Sequence, residues 1–363
     1  MRTDLTDALR HDGPFATVYL TSRSDVPQAA QELEKRWKTV RRELQSQGAP
    51  DGVLDALDDA VSTTNHAAGD TLALVATAEE GVVLHWHLPE PPRADIGWWS
   101  SLPRVTTIIE ASQTLLPHLV VLLDRTGADV YGFTASGRAV EREIGDGDTD
   151  DVKLFAAGGW SQRRFQQRQV NTWENNAHEV ADEVARLAKK IDARLIAVGG
   201  DVYAVGFFED ALPKEMLSIV RRIDGASRHP DGGADHVAED VKRLVDTVVA
   251  TETTEILHKF EEERGQHDLA ADGPARVIEA LQSGRVATLL VHDDLEDDRT
   301  AWFGPEPLHV GLDEASVRAM GFELPWEARA VDVCVRAALG SSAEVRVVPK
   351  SVLDRNVGAI LRF

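Results

Sequence analysis

Short runs of consecutive apolar residues constrain this chain more than any other feature. In Pro117-His118-Leu119-Val120-Val121-Leu122-Leu123-Asp124 the apolar side chains do not alternate with polar ones. A strand built from such a run must be covered on both faces. Arg194-Leu195-Ile196-Ala197-Val198 and Thr71-Leu72-Ala73-Leu74-Val75-Ala76 also read as strands. None approaches the roughly 20 apolar residues that a membrane-spanning helix needs. Longer stretches between them repeat apolar residues every three or four positions, the period of an amphipathic helix. Strands needing cover on both faces, alternating with helices that have one apolar face, specify an α/β chain. At 363 residues and 43% hydrophobic side chains, two or three compact units are expected.

Three units can be drawn. The first, residues 1–113, opens with a polar helical leader, a strand over 14–20 and long helical patterns. Two strands, 71–76 and 82–88, then pair across Glu79-Glu80-Gly81. The proline-rich stretch at 88–92 and Trp98-Trp99-Ser100-Ser101 are expected to break regular structure and lead into the next unit. The second unit, 114–228, has the buried strand at 117–124, a partner at 128–133, and a long helix drawn from Ser161. That helix carries Phe165, Gln169, Thr172, Asn176, Val180, Val184 and Leu187 at helical spacing, and the strand 194–198 follows it. The third unit, 236–363, starts with an amphipathic helix bearing Val237, Val241, Leu244, Val248, Ile256 and Phe260. It continues as an α/β/α sandwich.

The formal charge of -22 argues against nonspecific RNA binding, because phosphate is repelled at long range. Two islands reverse the sign. On a helical segment, Lys35, Lys38 and Arg42 fall on one stripe above Trp37, Val40 and Leu44, which reads as a solvated face partly neutralised by Glu32, Glu34 and Glu43 before it reads as a binding surface. From Val152 to Trp173 the charged residues are Lys153, Arg163, Arg164 and Arg168, with no carboxylate. There Gly158-Gly159-Trp160-Ser161-Gln162-Arg163-Arg164-Phe165 runs into the helix. Paired glycines permit close backbone approach, a helix start offers free N–H groups, and arginine forks onto phosphate. The alternative is an ordinary loop-to-helix junction with solvated or internally paired arginines.

Other candidates are weaker. The acidic run 145–151 lacks the glutamate that an EF-hand loop places at its end and reads as a solvated loop. Gly199-Gly200-Asp201 reads as a turn before it reads as a phosphate cradle. His229, Asp231, Asp235 and His236 read as a polar connector, and His85 and His87 as a same-face pair flanking Trp86. No metal or cofactor is expected. The single cysteine, Cys334, rules out an internal disulfide and suits core packing in a reducing compartment. With a polar, charged stretch at residues 1–13, the expected location is the cytoplasm.

The Gly158–Phe165 segment resembles the central domain of the archaeal and eukaryotic class-1 peptide chain release factors, the Pelota superfamily and their bacterial, Balon-like relatives. There a Gly-Gly-Gln-Ser loop leads into a helix carrying Arg-Phe. Gly158, Gly159, Ser161, Arg164 and Phe165 fall on matching positions, and Trp160 stands where that family has its catalytic glutamine. The stretch Gly273-Pro274-Ala275-Arg276-Val277 to Leu289-Leu290-Val291, and the tail Val357-Gly358-Ala359-Ile360-Leu361-Arg362-Phe363, are similar to the superfamily's third domain. The resemblance implies a three-domain architecture, each domain a mixed sheet flanked by helices.

It also implies a factor that binds the ribosomal A site. Gly158, Gly159, Trp160, Ser161, Gln162, Arg163, Arg164 and Arg168 would face ribosomal RNA and the CCA end of P-site tRNA, with elongation factor Tu as a possible further partner. Nothing matches the Asn-Ile-Lys-Ser codon-reading motif, which points to codon-independent rescue or hibernation. An indole offers only a donor, so Trp160 cannot orient water as glutamine does. If the chain hydrolyses peptidyl-tRNA, Gln162 is the candidate catalytic residue. A stress-related interaction protein that has left the ribosome is the third reading.

Overall fold

The computed structural model describes residues 2–11, 13–22, 29–64, 70–88, 92–124, 127–134, 139–145, 153–155, 173–225, 234–266, 269–294, 296–353 and 356–363. In chain order, α1 (Arg2–Ala8) leads to β1 (Phe15–Thr21), α2 (Ala29–Ser46), α3 (Asp51–Ser62), β2 (Thr71–Thr77), β3 (Gly81–Leu88), β4 (Ile96–Ser100) and α4 (Thr106–Thr114). Next come β5 (His118–Asp124), β6 (Gly127–Phe133), β7 (Ala139–Gly145), β8 (Lys153–Phe155), α5 (Trp173–Ile191), β9 (Leu195–Gly200), α6 (Val202–Ala211), β10 (Val220–Arg222) and α7 (Ala234–Gln266). The remainder is β11 (Ala270–Asp272), α8 (Pro274–Gln282), β12 (Val286–Val291), β13 (Thr300–Phe303), β14 (Val310–Gly311), α9 (Glu314–Arg318), β15 (Trp326–Arg329), α10 (Ala330–Gly340), β16 (Glu344–Val347) and β17 (Val357–Leu361).

Packing gathers Met1–Ala111 and Thr253–Phe363 into one compact unit and Ser112–Glu252 into another. The second unit is built on a sheet of order β10-β9-β5-β6-β7-β8. Its β5–β9 and β9–β10 pairs are parallel, and β5 through β8 run antiparallel. The continuous apolar runs are explained by the two-residue period of a strand. Leu119, Val121 and Leu123 of β5, with Ile196 and Val198 of β9, point into one core with α5 and α6. Val120, Leu122, Leu195 and Ala197 point into the opposite core, closed by Val237, Val241 and Val245 of α7.

The first unit repeats this arrangement in its antiparallel sheet β3-β2-β1-β4. Ala16, Val18 and Leu20 of β1, with Leu72 and Leu74 of β2, face Leu33, Trp37, Val40 and Leu44 of α2 and Leu54 and Leu57 of α3. On the other side, Phe15, Tyr19, Ala73 and Val75 share a core with Val277, Leu281, Leu289, Cys334 and Val335. Segments 1–113 and 236–363, separated by the sequence reading, thus contribute to one apolar core. A second sheet, β11-β17-β12-β16, lies between that core and Phe260 of α7, which packs on Leu290 and Ile360. A small sheet, β14-β13-β15, completes the unit.

One expectation is corrected. Trp98 and Trp99 do not interrupt regular structure; they lie in β4, which pairs with β1 from Phe15↔Ser100 to Tyr19↔Ile96. Trp98 packs on one core of the sheet and Trp99 on the other. Gly97 lets the strand close on α2: a Cβ there would lie 2.7 Å from Cγ1 of Val40. The alternation was hidden because two aromatic neighbours serve opposite faces.

At the end of β9 the backbone makes one demand that only glycine meets. Gly200 has φ +129°, and a Cβ there would fall 1.9 Å from the Leu123 carbonyl oxygen. Gly200→Ala is expected to destabilise the protein by about 3 kcal/mol or more. Gly206→Ala in α6, where a Cβ meets nothing within 4 Å, is expected to stabilise it by about 0.5–1 kcal/mol. Urea unfolding midpoints of the two variants check this contrast.

Candidate functional site

The residues singled out for RNA contact or catalysis, Gly158, Gly159, Trp160, Ser161, Gln162, Arg163, Arg164 and Arg168, lie outside the described residues, as do His229, Asp231 and the acidic run after Gly145. The structure places the frame on either side of the cationic segment. On one side is β8, at an edge of the six-stranded sheet; on the other is α5, whose Val180, Val184 and Leu187 seat it against that sheet.

The frame itself is electrically quiet. Arg186 pairs with Glu183, Arg194 with Glu252, Arg222 with Glu209, Lys242 with Asp246 and Arg243 with Asp240. Arg221 donates to the carbonyls of Ser218 and Val220. Local carboxylates therefore absorb much of the described positive charge in this unit, whereas the sequence from Val152 to Trp173 has none to do so.

Gly199-Gly200-Asp201 resolves as a capped turn. Asp201 accepts hydrogen bonds from the N–H groups of Tyr203 (3.0 Å) and Ala204 (3.3 Å) at the start of α6. The helix end that might have held phosphate holds this chain's own carboxylate instead.

The basic stripe on α2 exists, with Lys35, Lys38 and Arg42 exposed above buried Trp37, Val40 and Leu44. Its charge is locally offset: Lys35 pairs with Glu32 at 2.9 Å and Lys38 with Glu34 at 2.7 Å, while Arg42 donates to the Lys38 carbonyl. His85 and His87 do share one side of β3, their ring centroids 5.4 Å apart. Partial burial holds the His85 imidazole below its usual range. No cluster of three or more metal-ligating side chains occurs among the described residues. No described helix is long and apolar enough to cross a membrane.

A buried ionic cluster in the first unit escaped the sequence reading. Arg329 donates to Asp293 (3.1 Å), to the Asp294 carbonyl (2.7 Å), to the Asp297 carbonyl (3.2 Å) and, at 3.5 Å, to Asp332. Thr107 reaches Asp293 from α4, and Arg93 joins the Asp293 carbonyl to the carboxylate of Glu110. Beside them Tyr19 donates to the Arg104 carbonyl at 2.6 Å, and the Arg104 guanidinium lies over the Trp98 ring at 4.5 Å. Burial is the main force on these groups. It raises the Asp332 carboxyl to about 7 against the pull of Arg329 and Arg104, with Asp293 adding to the rise. It also raises the Tyr19 phenol and pushes the Cys334 thiol up to about 12.

The Arg329 side chain is 5% exposed, and those of Asp293 and Asp332 are 1% and 3%, so no substrate reaches the cluster. It joins segments distant in sequence within one unit and offers no reacting surface. Its sequence signal was charge embedded in apolar pattern: Asp293 just beyond β12, Arg329 just before α10, and Asp332 in that helix's first turn.

Comparison with known proteins places the central segment. Residues 117–266 match the bacterial archaeo-eukaryotic release factor family 2. The uncharacterized protein Rv2629 of Mycobacterium tuberculosis H37Rv is 29% identical over 367 residues, covering 97% of this chain and 94% of that protein. Archaeal Pelota, in a structure of ribosome-bound archaeal Pelota and ABCE1, is 14% identical, with 99% of this chain and 93% of that one covered at a TM-score of 0.43. Dom34 of S. cerevisiae, a translation termination-like factor of RNA quality control that interacts with Hbs1, is 10% identical, with 100% and 92% covered and a TM-score of 0.39.

The buried cluster has a pH signature. In the folded chain Asp332 titrates near 7, whereas the unfolded chain releases that proton near the ordinary value of 3.8. Folding therefore takes up a proton between about pH 4 and pH 7, and stability falls as pH rises through that window, by at most about 1.4 kcal/mol per pH unit. His118, buried and held below its usual range by desolvation, contributes a slope of the opposite sign. The effect is thus read as a difference between proteins. Urea titrations at pH 5 and pH 7.5 are expected to show wild type losing stability relative to Asp332→Asn as pH rises.

Proposed function

We propose that this chain, whose residues 117–266 match the bacterial archaeo-eukaryotic release factor family 2, binds the ribosomal A site independently of the codon, as a rescue or hibernation factor. One observation carries this reading. The stretch Gly158 to Arg168 lies inside the region matched to the family, and from Val152 to Trp173 a chain of net charge -22 has four cations and no carboxylate. A run of cations with no carboxylate among them in sequence favours a polyanion, and arginine suits phosphate geometry.

In this reading the chain comprises three domains, 1–113, 114–228 and 236–363, the first and third sharing one apolar core. The first faces the decoding region, and Gly158, Gly159, Trp160, Ser161, Gln162, Arg163, Arg164 and Arg168 approach rRNA and the CCA end of P-site tRNA. The third meets a cytoplasmic partner such as elongation factor Tu. Binding without hydrolysis is favoured by Trp160, whose indole donates one hydrogen bond and accepts none, so it cannot hold an attacking water as a glutamine amide does. A second reading, peptidyl-tRNA hydrolysis, rests on Gln162, two positions further along the same segment.

Co-sedimentation of the purified protein with 70S ribosomes at two salt concentrations tests the proposal, with Gly158→Ala/Arg163→Glu/Arg164→Glu as the variant. Wild type is expected to bind in a salt-sensitive way, and the variant roughly tenfold more weakly or worse with an unchanged melting temperature. Absence of wild-type binding, with and without elongation factor Tu, overturns the A-site reading. Peptidyl release from the same complexes, abolished by Gln162→Ala, would replace binding with catalysis.

A further inference from the structure

Between Leu312 and Trp326 the first unit leaves large apolar side chains in water: Leu312 is 48% exposed, Met320 36%, Leu324 79% and Trp326 48%. The segment that carries them is well anchored. Asp313 caps α9 by accepting from the Ser316 N–H at 2.8 Å. Arg318 pairs with Glu314 at 2.6 Å and donates to the Glu323 carbonyl at 3.3 Å. The Phe322 ring packs on His309 (4.4 Å between centroids) and the Trp326 ring on Phe303 (5.6 Å). Exposed leucine and tryptophan held this way are preorganised for contact.

The surroundings select the partner. From Pro305 to Glu327 the carboxylates are Glu306, Asp313, Glu314, Glu323 and Glu327, against Arg318, which is already paired, and Arg336, which reaches in from α10 to donate to the Pro305 and Glu306 carbonyls. Glu323 and Glu327 are exposed and flank Leu324 and Trp326. Such a rim repels nucleic acid and anionic lipid, and a second copy of this chain would set carboxylate against carboxylate. We propose that the exposed apolar surface of residues 312–326 docks a protein partner presenting an apolar anchor ringed by lysine and arginine. The surface lies outside the region matched to the family, and the proposal does not depend on the A-site reading.

The test puts the photoreactive residue benzoylphenylalanine in place of Leu324 in the full chain, irradiates the cells that make it, and identifies the adduct by mass spectrometry. The expected result is a protein adduct whose cross-linked peptide has more lysine and arginine than aspartate and glutamate. Its yield should drop about fivefold or more in Glu323→Lys/Glu327→Lys at an unchanged melting temperature. Should that variant melt early, Glu323→Gln reads the same charge through a smaller drop. No adduct, an adduct on nucleic acid, lipid or a second copy, a cross-linked peptide without basic excess, or a yield indifferent to the rim charges would each overturn the proposal.

Discussion

Strands β1, β2, β5 and β9 exclude water from both faces, so each of their sheets needs two apolar layers, and most of the helices exist to supply them. In the second unit α5 and α6 cover one face and α7 the other. In the first, α2 and α3 cover one face of the N-terminal sheet, while the other is closed by elements from the C-terminal part of the chain. Leaving a single leucine of such a strand in water forfeits about 1.5–3 kcal/mol. Tyr19, Ala73 and Val75 therefore bind the fate of the N-terminal sheet to α8, β12 and α10.

That shared core carries the buried charges. A cluster of Arg329, Asp293 and Asp332 is poor evidence for net stability, because removing charges from water costs much of what their attraction returns. It is informative about specificity. Thr107 and Arg93 reach it from the N-terminal segment, and those two contacts are satisfied only when the two segments meet in one register. An apolar core tolerates sliding and repacking, whereas misplaced hydrogen-bonded charges leave unpaired groups.

Charge also organises the surface. The described cations are largely paired with nearby carboxylates, including Lys35 and Lys38 on the α2 stripe. Two places depart from this pattern in opposite senses. The segment around Arg163 and Arg164 has cations without local counter-ions in its sequence, and the surface around Leu324 and Trp326 has apolar groups inside an acidic rim. A polyanion suits the first and a basic protein face suits the second.

The sequence by itself determined the class of fold and many of its elements. The apolar runs at 71–76, 117–124 and 194–198, the hairpin across Glu79-Glu80-Gly81 and the amphipathic face of Val237 and Val241 all follow from short-range periodicity, which local sterics and burial impose directly. The candidate RNA-binding segment was also legible there, because a carboxylate-free run in an acidic chain is a compositional fact. Tertiary structure alone decided the rest. It made a strand of Trp98 and Trp99 by giving each a different core. It gave Gly200 its left-handed backbone against Leu123, closed the Gly199-Gly200 junction with Asp201, and brought Asp293, Arg329 and Asp332 to Tyr19 and Thr107. Those outcomes depend on which surfaces meet across hundreds of residues, and no local period encodes such a meeting.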